Sequence, residues 1–389
     1  MRSDGPKRDK RSRIRRPHAN AEVCTWPLVV TSPPYHLGKD YDSDASYGEL
    51  LGLLRRVFAE THPVLERSLH RCLSSATTPS TTNSEVETMS SQPSTRQDPV
   101  TLRPGQLSTT LVTGATGTVG GEVARQLVAN GHRPRVLMHN TGHALQQVGQ
   151  DVEALHGDFD RPETIEAALT GIERVFLLSR QTGRQADQEL AVIQAAARSE
   201  VRHLVKLSVF RADENSPLQI ARQHRQVERA LEQSGLAYTI LRPVFFMQNL
   251  LAMLRGGTIR TAAHQGRIAM IDARDIAAVA VMALTSHGHD GRTYTLTGPE
   301  ALNFEDVASA FSQQTGRNIR HVTVTQSDVR NAVLRSGAEA WFAEDMAKLH
   351  HMLASGYENV VTDDVHTVTG KVPRTLVQFA HDYADELIG

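Results

Sequence analysis

Gly114, Gly117 and Gly120 stand three residues apart inside Thr109–Val123, TTLVTGATGTVGGEV, between an apolar run and a stretch of helical periodicity. Glycines at that spacing let the backbone turn sharply and approach a ligand where any Cβ would intrude. The helix that follows presents unpaired N–H groups and the positive end of its dipole, an arrangement that suits the pyrophosphate of a dinucleotide. The spacing is a variant of the Gly-x-Gly-x-x-Gly fingerprint, and three glycines alone also occur in a plain turn. Context favours the ligand: a strand precedes, a helix follows, and a second strand over Arg135–Met138 comes about twenty residues on.

Other chemistry is scarce. Both cysteines, Cys24 and Cys72, lie upstream of the loop, so the main domain offers no thiol nucleophile, disulfide or thiolate metal site. The 18 histidines are scattered and form no His-Glu-x-x-His pair, so no metal site is expected. Tyr35 and Lys39 have the Tyr-x-x-x-Lys spacing of a proton-transfer pair, but they precede the loop and follow two prolines that block a helix.

The elements that must position the loop are read from length and composition. A chain of 389 residues with 40% hydrophobic content and a net charge of -1 accommodates two or three globular domains and is no general nucleic-acid binder. Arg2, Lys7, Arg8, Lys10, Arg11, Arg13, Arg15 and Arg16 crowd the N-terminus, and residues 1–25 read as a basic disordered tail. No apolar run reaches the roughly twenty residues that span a bilayer, and no signal-peptide core follows the basic residues, so a cytoplasmic protein is expected. Residues 71–106, rich in Ser, Thr, Pro and Gln, read as a disordered linker.

Within residues 26–70, Thr31-Ser32-Pro33-Pro34-Tyr35 follows an apolar run and precedes a helix-like stretch. That block resembles the catalytic motif of DNA methyltransferases that modify an exocyclic amine, in which the tyrosine stacks on a flipped-out base. The loop for S-adenosylmethionine and the target-recognition region of that family are missing, so the segment reads as a detached piece without catalysis.

From Leu107 short apolar runs alternate with amphipathic stretches, the pattern of a doubly wound parallel sheet. Strands are expected over 109–113, 135–138, 153–156, 174–179, 203–208, 238–242 and 293–296. Helices are expected over 120–130, 161–169, 184–199 and 218–234. The fold class is therefore a Rossmann-type α/β domain over 107–389, with a smaller, mostly helical lobe mainly over 250–389. Asn303 caps a helix over 304–314, and residues 327–356 carry an apolar face made by Val333, Leu334, Trp341, Phe342, Met346 and Leu349.

The blocks TGATGTVG, GDFDRPETIEAALTGIERVFLLS, VRHLVKLSV, GLAYTILRPVFFMQNLL and DARDIAAVAVMAL follow one another in the order found in NmrA-like atypical short-chain dehydrogenase/reductases. This resemblance runs from Leu107 to the C-terminus. It implies NAD(P) binding, with Gly114, Thr116, Gly117, Thr118, Val119 and Gly120 at the pyrophosphate and Asp158 and Phe159 along the adenine. It places Leu178, Ser179, Ser208, Val209, Pro243 and Phe246 around the nicotinamide. The family contains quinone-type reductases and also redox-sensing regulators that bind the dinucleotide without turnover.

Two departures shape the expected activity. His139 stands where NADP-binding relatives carry an arginine; no Asp or Glu stands there to hold the ribose hydroxyls, so NADP is favoured while NAD remains open. The Tyr-x-x-x-Lys pair is missing, and His224 is the one proton donor at its place. Hydride delivery to a simple ketone leaves a strongly basic alkoxide that needs a positioned acid, whereas a quinone leaves a far weaker base. The expected substrate is a quinone-like small molecule, with dinucleotide sensing through a protein partner as the alternative.

Overall fold

The computed structural model describes residues 109–138 and 148–388; the basic tail, the methyltransferase-like segment, the linker and His139 lie outside them. The first strand, β1 (Thr110–Val112), leads through the glycine loop into α1 (Thr118–Ala129), and then into β2 (Arg135–Met138) and β3 (Glu153–His156). Next come α2 (Pro162–Leu169), β4 (Arg174–Leu177), α3 (Gln185–Ala197), β5 (His203–Leu207), α4 (Gln219–Glu232) and β6 (Ala237–Pro243).

The chain then forms α5 (Gln248–Met253), β7 (Leu254–Arg255) and β8 (Thr258–Thr261) before α6 (Ala273–Thr285) and β9 (Arg292–Leu296). The last elements are α7 (Phe304–Thr315), β10 (Arg320–Thr323), α8 (Gln326–Arg335), α9 (Ala340–Ala354), α10 (Asp364–Thr369), α11 (Leu376–Asp382) and α12 (Ala384–Ile388).

Seven strands form one parallel sheet in the order β3-β2-β1-β4-β5-β6-β9. The order reverses between β1 and β4, and ligands of such sheets sit outside the carboxyl ends of the strands at that reversal. The two faces are covered separately. Val112, Val136, Phe176 and Val205 pack with α1 and α6 on one side, while Leu111, Val175, Leu177 and Leu204 pack with α2, α3 and α4 on the other. Side chains alternate along each strand, so an almost uninterrupted apolar run serves both cores. Each fully buried Val or Leu here contributes about 1.5–3 kcal/mol of transfer free energy.

The expected strands and helices all form, with ends shifted by one or two residues. Beyond Asn249 the chain does more than build a helical lobe. It returns to the main domain, where α6 covers the sheet and β9 pairs with β6, and it adds a small sheet of β10, β8 and β7. That small sheet has too few apolar alternations to announce itself, and β10 leaves most of its residues exposed. The lobe has its own core of Leu250, Ile259, Phe304, Phe311, Leu353 and Phe379. Asn303 caps α7 as expected, in a full capping box with Asp306. Among the described residues no helix is long and apolar enough to cross a membrane.

Candidate functional site

The glycine loop joins the end of β1 to the start of α1. Thr113 ties it to β4: its hydroxyl accepts from the Leu178 N–H at 2.8 Å and lies 2.8 Å from the Leu178 carbonyl, to which it donates. Gly114 takes a left-handed φ of 64°, and a Cβ there would lie 2.9 Å from the Leu178 carbonyl oxygen. At Gly120 a Cβ would sit 2.3 Å from the Gly114 oxygen, so this glycine lets the helix press against the loop. Gly117 differs from both. It is the N-cap of α1 in extended backbone, and a Cβ would meet only the Gly114 oxygen at 3.3 Å.

No side chain caps α1, and its first turn carries no acidic residue. By contrast α7, α8 and α11 each begin with a full capping box. Thr116, Gly117 and Thr118 are exposed, whereas Ala115, Val119 and Gly120 are buried. A helix start left open, beside glycines that admit close approach, fits an anion such as a pyrophosphate. Thr116, Gly117 and Thr118 would face it, and Val119 and Gly120 would support it from within.

The remaining residues expected at the site fall at the carboxyl edge or just beyond it. Asp158 and Phe159 follow β3; the Asp158 carboxylate accepts from the Asp160 N–H at 2.8 Å, and Phe159 packs on the core beside α2. Leu178 is half-buried at the end of β4. Pro243 ends β6, and its carbonyl accepts from the Phe210 N–H at 3.0 Å, which joins the segments after β5 and β6. Phe246 and Val209 are half-buried on that edge. Ser179 and Ser208 are buried, and each hydroxyl is committed within the protein: Ser179 donates to Glu189 at 2.8 Å and Ser208 to Glu228 at 2.6 Å.

Those two carboxylates head networks that pattern reading missed. Lys206, in the middle of β5, is fully buried with its Nζ 2.9 Å from Glu189 Oε2 of α3 and 3.2 Å from His224 Nδ1 of α4. It also donates to the Leu207 carbonyl. Glu228 binds Arg242 and Arg225, with Arg242 Nε at 2.9 Å. The one available signal was the lysine itself, since a charged residue inside the run HLVKL of a central strand must find a buried partner.

His224 is thereby defined. Burial holds its pKa well below the ordinary value, and the neighbouring Lys206 ammonium lowers it further. The ring is neutral, accepts at Nδ1 from the lysine and carries its proton on Nε2. Nε2 lies 3.3 Å from the Gln185 side-chain amide, whose Oε1 is buried without a hydrogen-bond partner in its present orientation. Turned over, that amide accepts the Nε2–H and satisfies both groups. Both ring nitrogens are then engaged.

The lobe closes the same edge. Trp341, Leu349 and Met352 of α9 pack with Val209, Leu218, Ile220 and Ala221, and Asp345 accepts from the Ile220 N–H at 2.8 Å. Two members of the expected apolar face, Trp341 and Leu349, therefore pack on the same small cluster as Val209. Farther off, a shallow depression lined by Glu166, Leu169, Ala195, Arg198 and Ser199 sits at the C-terminal ends of α2 and α3. In a parallel α/β unit that is the edge opposite the strand carboxyl ends.

Beside the lobe, Glu358 is buried and accepts from the Phe245 N–H at 3.0 Å; burial pushes its carboxyl from 4.5 up to about 7. The folded protein therefore holds this proton more tightly than the unfolded chain. Stability that is present below the unfolded value is lost as pH rises through the folded one, by up to about 3 kcal/mol between about pH 4.5 and 7. Glu358→Gln is expected to flatten that slope, so the variant gains on the parent in urea unfolding at about pH 8 and not at about pH 4. Equal gains at both pH values would show that the carboxyl is not the source.

Comparison with known proteins places these features in a family context. Residues 106–380 match the NmrA-like family. The NAD(P)H azoreductase of Xenophilus azovorans is 36% identical over 278 residues, which are 70% of this chain and 97% of that protein. A Streptomyces griseus (4-alkanoyl-5-oxo-2,5-dihydrofuran-3-yl)methyl phosphate reductase is 33% identical over 71% of this chain and 98% of its own length. An Escherichia coli NADPH-dependent quinone oxidoreductase, solved in complex with NADPH, superposes with a TM-score of 0.64 at 26% identity, covering 71% of this chain and 99% of that one.

Proposed function

Because the chain belongs to the NmrA-like family, we propose that it is an NAD(P)H-dependent oxidoreductase that reduces a quinone-like, electron-poor conjugated acceptor. NADPH is the cofactor, and bound at the open start of α1 it supplies a hydride. Gly114, Thr116, Gly117, Thr118, Val119 and Gly120 hold its pyrophosphate, Asp158 and Phe159 border the adenine, and Leu178, Ser179, Ser208, Val209, Pro243 and Phe246 line the nicotinamide end.

The observation that carries the choice of acceptor is the state of the polar groups at the carboxyl edge. Ser179 and Ser208 are bound to carboxylates, and His224 is buried, neutral and engaged at both nitrogens. None is poised as a strong acid, so the acceptor must become a weak base when it is reduced. A doubly conjugated furanone and a quinone, the acceptors in the names of two of the similar proteins, meet that condition; the azo group in the name of the third leaves a more basic nitrogen anion and meets it only where its rings withdraw electrons strongly. His224 is the candidate donor only by exchanging its Gln185 partner for the acceptor, and its neutral Nε2–H would then polarise the acceptor more than protonate it.

NADPH oxidation by the full chain against a panel of quinones and azo dyes tests this reading, with cofactor binding measured alongside. Turnover of at least one class is expected. His224→Asn should lower kcat by about tenfold, against the roughly hundredfold or more that removing a full general acid costs. Tight NADPH binding with no turnover of any acceptor would instead assign the chain to the sensing role, with a protein partner as its readout.

A further inference from the structure

Arg211 lies three residues beyond Ser208, at the carboxyl end of β5, in a backbone conformation that costs free energy. Its φ is 50°, in the left-handed region, and among the described residues only His264 is another non-glycine residue there. A long side chain held in that region points to a surrounding structure that dictates its direction. Two aromatic rings do so here. The guanidinium carbon lies 5.0 Å from the ring centre of Phe210 and 5.0 Å from that of Tyr357. The rings meet edge to face at 5.7 Å.

Both rings are anchored. The Phe210 N–H bonds to the end of β6, and the Tyr357 N–H donates to the Met352 carbonyl of α9 at 3.1 Å. The next residue, Glu358, is tied to Phe245. The clamp therefore joins the strand edge to the lobe across the segment that carries Val209.

Burial raises the Glu358 carboxyl and the charge of Arg211 partly offsets that rise, but no hydrogen bond among the described residues holds the head of the arginine. Arg211 is exposed, and among the described residues no carboxylate lies within ion-pair distance of it. Glu358, which feels the Arg211 charge, accepts from the Phe245 N–H, and Asp213 accepts from the Asn215 N–H at 2.7 Å. The rings meet the guanidinium from one side, and its edge N–H groups can grip a planar or tetrahedral oxyanion with two hydrogen bonds.

We propose that Arg211, seated in the corner formed by Phe210 and Tyr357, is a substrate-recognition site for an oxyanion substituent, a sulfonate, carboxylate or phosphate, carried by the acceptor. This rests on the reductase reading, because it assigns the ligand to the acceptor side of the same edge. The acceptor in that reading is itself conjugated, so the ligand class is an anionic aromatic or conjugated molecule.

The test compares ortho-naphthoquinone with its sulfonated derivative as acceptors for the full chain at saturating NADPH, after subtraction of the rate without enzyme. In the parent the sulfonated acceptor has the higher kcat/KM. In Arg211→Gln the ratio of the two kcat/KM values falls by about tenfold or more, through KM of the sulfonated acceptor, and Arg211→Lys restores part of it. NADPH titration of each variant checks that the fold is intact. Equal loss with both acceptors, or an unchanged ratio, overturns the proposal. If no quinone is turned over, the reductase reading has failed on its own, and calorimetry of naphthalenesulfonate with the NADPH-loaded protein decides this one. Binding that disappears in Arg211→Gln supports the site, and no binding to the parent overturns it.

Discussion

Gly117→Asp is expected to bind NADPH about a hundredfold or more weakly than the parent while unfolding at higher denaturant concentration. The two effects have one origin. Gly117 is the N-cap of α1, no side chain caps that helix, and a Cβ at this position meets only one atom, at 3.3 Å. Aspartate is among the best N-caps, and its carboxylate beside the open N–H groups and the helix dipole adds about 0.5–1 kcal/mol to the stability of the free protein. The same carboxylate occupies the place proposed for the pyrophosphate and repels it. Losing those anion contacts amounts to about 3 kcal/mol or more, which is the hundredfold.

Gly120→Ala provides the contrast. Its Cβ would fall 2.3 Å from the Gly114 oxygen and 2.6 Å from the Gly114 carbonyl carbon, and backbone cannot move aside as a flexible side chain can. That variant should lose stability and NADPH binding together. Urea unfolding of the free proteins and NADPH titration of each separate the two cases. If Gly117→Asp binds NADPH as the parent does, the dinucleotide does not sit at the start of α1.

Lys206→Met should cost about 3–5 kcal/mol of stability, the usual consequence of removing one partner of a buried ion pair. The reason lies in what is left behind. Lys206 and Glu189 both have fully buried side chains, and Glu189 Oε2 faces the ammonium at 2.9 Å with no other donor. Without the lysine, Glu189 retains only the Ser179 hydroxyl and N–H, both on Oε1, and His224 loses the donor that sets its tautomer. Adding Glu189→Gln should recover most of the loss, because the buried charge is then gone along with its partner. A double variant no more stable than Lys206→Met would mean that packing of the lysine stem, not the unpaired carboxylate, carries the cost. The measurement is the urea midpoint of the parent, both single variants and the double variant.

What was legible in the sequence was whatever depends on near neighbours in the chain. The glycine loop, Asn303 with Asp306, and the alternation of apolar runs with amphipathic stretches are patterns of short range, set by backbone sterics, capping and burial on two faces of a sheet. They suffice for a parallel α/β domain with an uncapped helix start after the first strand, and for most element ends to within a residue or two. The order of the strands and the return of α6 and β9 to the main sheet were not legible in the same way, since no local pattern states which strand pairs with which.

The chemistry of the carboxyl edge was decided by tertiary structure alone. His224 was visible as a histidine at the right place on a helix, but its neutrality and its tautomer come from Lys206, eighteen residues away on another element. Ser179 and Ser208 were visible as polar residues at strand ends, but their carboxylate partners, Glu189 and Glu228, are delivered by α3 and α4. Arg211 and Tyr357 are nearly a hundred and fifty residues apart and meet because α9 brings the lobe onto the segment after β5. The physical reason is common to all three. A side chain's protonation, partners and direction depend on the groups within a few ångströms of it, and in a parallel sheet those groups arrive from strands and helices far apart in the chain.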